Sequence, residues 1–350
     1  MFRNVQLLRA CGAVLVLLLH FHPNYLAMGG DNAVLKMVMP YGFAGVDIFF
    51  AISGFIMMHV ISDRPPLAPN VREFLGRRFL RIYGWYLPCM VFGLAIMAQY
   101  DPAGFMRVDL LRSATLSSVD ILRLALPISW SLSYELYFYV MVALGWFLLR
   151  RTLRLGLWVA LGALTLWCVF VPYREGTLLS FLTSPYILEF LAGALFYLYK
   201  DLLARRPMLP VYALGMLVLV WLGVRHHATN ELLRIGTFGA AAVLLLCFFV
   251  TLEEAGLFKG GRLSVALGDA SYSIYLLHLP FMSLFYGTGL RDLLAGSGRF
   301  AAEAGFAAYI LLFCALCVWL HDALERPLYQ WLCRLFRLKH VPPAPAAIAV

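Results

Sequence analysis

Apolar residues run through this chain in stretches of lipid-spanning length, and Lys, Arg, Pro and Gly collect in the short connections between them. Crossing the hydrocarbon of a bilayer takes about 20 mostly apolar residues wound as helix, because no water is present there to satisfy backbone groups. By that measure the chain predicts about ten spans, at 5–28, 37–61, 80–99, 127–149, 155–172, 182–199, 209–224, 233–252, 264–286 and 301–323. The first stretch is too long for a signal-peptide core and lacks a convincing cleavage site, so it is read as a retained span. The expected fold class is all-α: a polytopic integral membrane bundle. Residues 1–340 read as one transmembrane domain. The Pro- and Ala-rich tail, 341–350, reads as disordered. The connection at 100–126, which carries Asp101, Asp109 and Asp120, is expected to lie along the membrane surface.

Composition supports this reading. Of 350 residues, 62% are hydrophobic and 13% charged, where a soluble domain carries about 25% charged residues. The net charge of +9 points away from nucleic acid, because the basic residues fall in short clusters between apolar runs rather than on one extended face. Roughly two thirds of the Lys and Arg fall in alternate connections, which places both termini on the cytoplasmic side; the expected location is a bacterial plasma (inner) membrane. The seven cysteines sit mostly inside apolar stretches. Cys314 and Cys317 have metal-like spacing without a second pair or a His cluster, so they read as small hydrophobes and no metal is expected.

Polar residues within the spans change the picture further, because ionisable groups at membrane depth are costly and mark a site by default. Arg9 and His20 share the first span. Eleven residues of helix bring them back to within about 20° of one face, about 16 Å apart along the axis. Taken alone, Arg9 reads as a snorkelling anchor and His20 as an interface residue bonded to a carbonyl; on a shared stripe they suggest proton transfer. Asp47 sits in the second span with Ser53 deeper, and Gly45 and Gly54 allow close helix packing. Glu135 follows Trp130 into the fourth span, at a depth where it could meet His20. Glu189 lies in the sixth. In the ninth, Ser271, Tyr275 and His278 share a face and read as a cavity wall. Arg77, Arg78 and Arg81 stand where the third span begins, either as a positive-inside anchor or as a phosphate clamp.

These strings together resemble the membrane-bound acyltransferase-3 family across nearly the whole chain. Arg9-x10-His20 is similar to the family's first-span motif, and Phe49-Phe-Ala-Ile-Ser-Gly-Phe55 to its second-span signature. Arg78-Phe-Leu-Arg81 resembles its Arg-x-x-Arg loop, and Trp130-Ser-Leu-Ser-Tyr-Glu135, Ser271-Tyr-Ser-Ile-Tyr-Leu-Leu-His278 and Leu324-Glu-Arg-Pro327 resemble its later motifs. The resemblance implies ten spans and transfer of an acyl group, usually acetyl, from cytoplasmic acyl-CoA. The implied acceptor is a hydroxyl of an extracytoplasmic carbohydrate or lipid-linked glycan.

The residues then take expected roles. His20 is the general base, oriented by Glu135 or Asp47, with direct transfer and an acyl-histidine intermediate both open. Arg78 and Arg81, with Arg77, hold the CoA phosphates, and Arg9 lies on the route of the thioester arm. Ser53, Tyr275, His278 and Glu189 are cavity or oxyanion candidates. A transporter or flippase is the alternative from another class, since intramembrane charge suits one equally well. A family member reduced to a binding or scaffold role is a third. The oligomeric state is open.

Overall fold

The computed structural model describes residues 2–117, 123–171, 176–226 and 230–338. The tail expectation for 341–350 and the expected surface placement of Asp120 fall outside the described residues. Every regular element among the described residues is helical. The principal helices are α1 (Arg3–Ala27), α2 (Ala44–Ile61), α3 (Ala68–Tyr100), α4 (Trp130–Leu149), α5 (Leu153–Phe170), α6 (Tyr186–Leu198), α7 (Leu209–Arg225), α8 (Ala240–Glu254), α9 (Ser271–Gly287), α10 (Arg299–Leu320) and α11 (Arg326–Leu335). The protein is an all-α polytopic membrane bundle.

Among the described residues, eight helical stretches are long and apolar enough to cross a membrane. One of them, Pro127–Phe170, contains both α4 and α5, which are joined through a short 3₁₀ turn at Arg150–Thr152. Helix α9 has 17 residues. It is shorter than the expected ninth span because the run at 264–286 breaks at Ala270, leaving a separate helix at Arg262–Asp269. The third expected span differs in the other direction. Helix α3 starts at Ala68 and continues without a break for 33 residues, so Arg77, Arg78 and Arg81 lie on a helix rather than in a loop. Asp101 and Asp109 cap two short helices, Pro102–Phe105 and Leu110–Thr115, in the connection that follows.

The α2–α6 crossing is close because neither helix has a side chain at the contact. A Cβ at Gly54 would run into the Phe190 carbonyl oxygen, and one at Gly193 into that of Ala51. The same logic brings α1 against α2, where Gly45 faces the Gly12 carbonyl. At one end of the bundle Glu253 closes α1: its carboxylate accepts from the Arg3 and Asn4 amides at 2.9 and 2.7 Å. That satisfies two of the N–H groups a helix start leaves open and places negative charge against the positive end of the dipole. Asn4 extends the tie, donating to the Phe249 and Phe258 carbonyls and accepting from Gly260. Lys200 and Arg206 reach the same end through Glu254 and the Ala255 carbonyl. At the other end Tyr25 donates to Glu303 at 2.6 Å and Arg299 pairs with Asp31 at 3.0 Å. Lys36, with a smaller contribution from Arg299, holds the Asp31 carboxyl below the usual carboxylate range.

Candidate active site

Helix α1 presents Arg9 and His20 on one side, and α9 supplies the partner for His20. The His20 Nδ1 atom lies 2.9 Å from the Val16 carbonyl oxygen and 3.2 Å from His278 Nε2. The His278 Nδ1 lies 2.6 Å from the Tyr275 carbonyl oxygen. A carbonyl only accepts, so each ring carries its proton on Nδ1. His278 Nε2 is then an acceptor for His20, and the His20 Nε2 carries the basic lone pair. The two rings are 4.8 Å apart between centroids. His278 is fully buried, whereas His20 is half-buried, so only His20 is open to a substrate.

The carboxylates expected to orient His20 have other partners. Glu135 accepts from Ser53 Oγ at 3.2 Å and from the Tyr139 hydroxyl. Asp47 is fully buried and accepts from Arg234 at 2.5 Å. Among the described residues no hydrogen bond joins His20 to either carboxylate; orientation falls to the Val16 carbonyl and His278 instead. Glu189 belongs with Asp47 and Arg234. It is 2% exposed, packs against Gly239 and feels both charges, and neither of its carboxyl oxygens has a hydrogen-bond partner among the described residues.

Sequence spacing does not single out Arg234, although it falls inside the eighth expected span. Its guanidinium also donates to the Phe43 carbonyl at 3.2 Å and to the Tyr186 hydroxyl at 3.1 Å, and lies over both rings. The π-helical turn at Ile235–Gly239 directly follows it, a distortion frequent at functional sites. Glu325 is the other residue that spacing leaves unassigned. It is 2% exposed, sits on a second π-helical turn at His321–Glu325, and takes Arg81 at 2.8 Å, Ser273 at 2.7 Å and His321 at 3.1 Å. The Leu324-Glu-Arg-Pro327 string marks its place, but nothing in linear spacing names its partners.

The basic triplet is therefore largely occupied. Arg81 is paired with Glu325, and Arg77 with Glu73 at 3.0 Å. Arg78 lies over the rings of Phe74 and Tyr139, with no carboxylate partner among the described residues. Arg9 bonds Gln6, which in turn bonds Asp269, and the charges of Arg81, Asp269, Glu325 and Glu135 all act on it. This brings Arg9 and Arg81 into one interior polar region with Glu135 at its edge. The Tyr275 hydroxyl meets Ser131, one turn before Glu135 on α4, at 2.7 Å, and donates to the Ile128 carbonyl just ahead of that helix at 2.8 Å. It ties α9 to α4 and is not a free oxyanion donor.

Comparison with known proteins gives the same grouping. A family described as an acyltransferase domain matches residues 2–322. The "Exopolysaccharide production protein ExoZ" of Rhizobium meliloti (strain 1021) is 34% identical over 296 residues, covering 77% of this chain and 88% of that protein. The "Acyltransferase MdmB" of Streptomyces mycarofaciens is 27% identical over 336 residues, covering 87% and 85%. No solved structure matches the chain. With the family match running through nearly all of its helices, the chain belongs to the membrane-bound acyltransferase-3 family.

Proposed function

We propose that this acyltransferase moves an acyl group, acetyl in the simplest case, from acyl-CoA to a hydroxyl of a carbohydrate or lipid-linked glycan, with His20 as general base. The observation that carries the reading is the placement of His20 Nδ1, 2.9 Å from the Val16 carbonyl oxygen and 3.2 Å from His278 Nε2. Val16 and His278 hold the proton on Nδ1, which leaves Nε2 as the one basic lone pair on a half-buried ring. The His20 Nε2 takes the proton of the acceptor hydroxyl as its oxygen attacks the thioester carbonyl. The C–S bond then breaks, and the departing sulfur takes the proton back from the imidazolium to leave as the CoA thiol. His278 is a positioning residue in this scheme, and Glu135, held by Ser53 and Tyr139, is a fixed negative charge in the interior where Arg9 also lies.

The name of the Rhizobium relative, which speaks of exopolysaccharide production, supports a carbohydrate acceptor. The bias of Lys and Arg supports an orientation with the basic end in the cytoplasm and both termini inside, in a bacterial plasma membrane. Acyl-CoA would then enter at the basic end, and the acceptor would meet His20 from the other. Purified protein given acetyl-CoA and a glycan fraction should release CoA in an acceptor-dependent way, and His20→Ala should abolish that release. Equal release by the variant would remove His20 from the chemistry. Absence of release by the wild type with every acyl-CoA and glycan offered would count against the donor.

A further inference from the structure

The described charges at the basic end do not balance. A cavity of about 520 Å³ opens there between the ends of α2, α4 and α6 and the start of α5. It is walled by Arg64, Arg150, Arg151 and Arg154, over a floor that includes Met58 and Trp146. Arg64 reaches Glu73 only at 3.8 Å, and Glu73 is already bound to Arg77. Arg150, Arg151 and Arg154 are exposed and form no ion pair with a carboxylate among the described residues. Two of these three lie in the turn that reverses the chain from α4 to α5, where Arg150 has a φ of +44°. A non-glycine residue in that region is strained, and such strain concentrates where the fold holds a side chain for a purpose.

A cavity of this volume suits a small organic ligand. Unpaired guanidiniums on its wall call for phosphate, which they can grip with two parallel hydrogen bonds each. An apolar floor beside them calls for a flat or greasy body attached to that phosphate. A chain of side-chain contacts links the cavity wall to the interior polar region. Trp146 packs against Phe74 at 6.2 Å, Arg78 lies over both Phe74 and Tyr139, and Tyr139 donates to Glu135. Along α4, Arg150 stands about 22 Å beyond Glu135, a gap of the kind an extended thioester-bearing arm crosses. Of the three residues first expected to hold the donor's phosphates, Arg77 and Arg81 are occupied by carboxylates, and Arg78 lies over the rings of Phe74 and Tyr139.

We infer that the cavity walled by Arg64, Arg150, Arg151 and Arg154 binds the phosphorylated nucleotide end of the acyl donor; this assignment rests on the acyl-CoA reading above. The phosphate of an anionic lipid headgroup shares the same chemistry, and the experiment separates the two sources. Full-length protein in phosphatidylcholine nanodiscs is titrated with adenosine 3′,5′-bisphosphate and assayed for acetyl-CoA turnover. The wild type is compared with a triple variant (Arg150→Gln, Arg151→Gln, Arg154→Gln) and with Arg205→Gln, a basic-end control outside the cavity. The bisphosphate Kd and the KM for acetyl-CoA should both rise by about tenfold or more in the triple variant. The expected kcat is nearly unchanged, and the control should match the wild type. An unchanged bisphosphate Kd with normal turnover overturns the site while leaving the donor reading intact. A wild type that neither binds bisphosphate nor turns over acetyl-CoA ends both. Loss of co-purifying phosphatidylglycerol in the triple variant, with bisphosphate binding unaltered, would reassign the cavity to a lipid headgroup and overturn the nucleotide assignment. Monodisperse elution of each variant at the wild-type volume shows that a lost affinity is not a lost fold.

Discussion

His20 on α1 and His278 on α9, 258 residues apart in sequence, stand 3.2 Å apart with the Nδ1–H of the first aimed at the Nε2 of the second. The buried ring offers an acceptor and the half-buried ring a base. Replacing His278 should therefore lower kcat more than it raises KM, and the loss should depend on whether an acceptor remains. His278→Leu is expected to reduce kcat by roughly 10²-fold, within the range general-base catalysis supplies. His278→Gln, whose amide oxygen can accept from His20, should recover a large part of that. Equal losses in the two variants would show that His278 only fills space.

The Arg81–Glu325 pair leads to a different expectation, because here the effect is on stability. Glu325 is buried, and removing its cation leaves an uncompensated charge. Arg81→Ala should destabilise the protein by about 3–5 kcal/mol, seen as a lower Tm in detergent. Adding Glu325→Ala should restore part of the loss. If Arg81→Ala instead kept the wild-type Tm and raised only the KM for acyl-CoA, Arg81 would be a phosphate ligand after all.

Asp47 and Arg234 form the second cross-bundle pair, 187 residues apart. A double-mutant cycle on thermal stability should show coupling of about 0.5–3 kcal/mol, with Asp47→Asn milder than Asp47→Ala because the amide oxygen still accepts from Arg234. Additive single losses would mean that the pair does not act as a unit.

Helix packing gives a prediction independent of the chemistry. Gly54→Val should prevent α2 from seating on α6, since the new side chain meets the Phe190 carbonyl oxygen, backbone that cannot step aside. The expected result is loss of monodisperse protein, or a destabilisation of about 1–3 kcal/mol. The same substitution at Gly162, where no atom of the described residues lies within reach of a Cβ, should be tolerated. Equal behaviour of the two variants would refute the close contact.

The parts of this architecture that depend on local pattern were legible from sequence, and the parts that depend on which helices touch were not. The apolar run at 209–224 returned as Leu209–Arg225, because a lipid-length stretch bounded by polar residues has one stable conformation in a bilayer. The shared placement of Arg9 and His20 on α1 was likewise a matter of helical period. Spacing gives the face a residue occupies but not the neighbour it meets. Asp47 thus went to His20 in expectation and to Arg234 in the structure. Glu135 went to Ser53 and Tyr139, the latter one turn away on its own helix. The break at Ala270 was hidden for another reason: the apolar content of 264–286 is sufficient for one span, and only the packing around it shows two helices. Glu325 stood in a recognised string, yet its partners Arg81, Ser273 and His321 come from three different helical segments.

The most direct test of the central claim, that His20 Nε2 is the base, is a single-turnover measurement of labelled acetyl transfer from acetyl-CoA to glycan, with wild type beside His20→Ala. Labelled glycan should form with the wild type and be absent with the variant, while both proteins elute alike and bind acetyl-CoA with similar Kd. Labelled glycan formed by His20→Ala at the wild-type rate would contradict the claim outright.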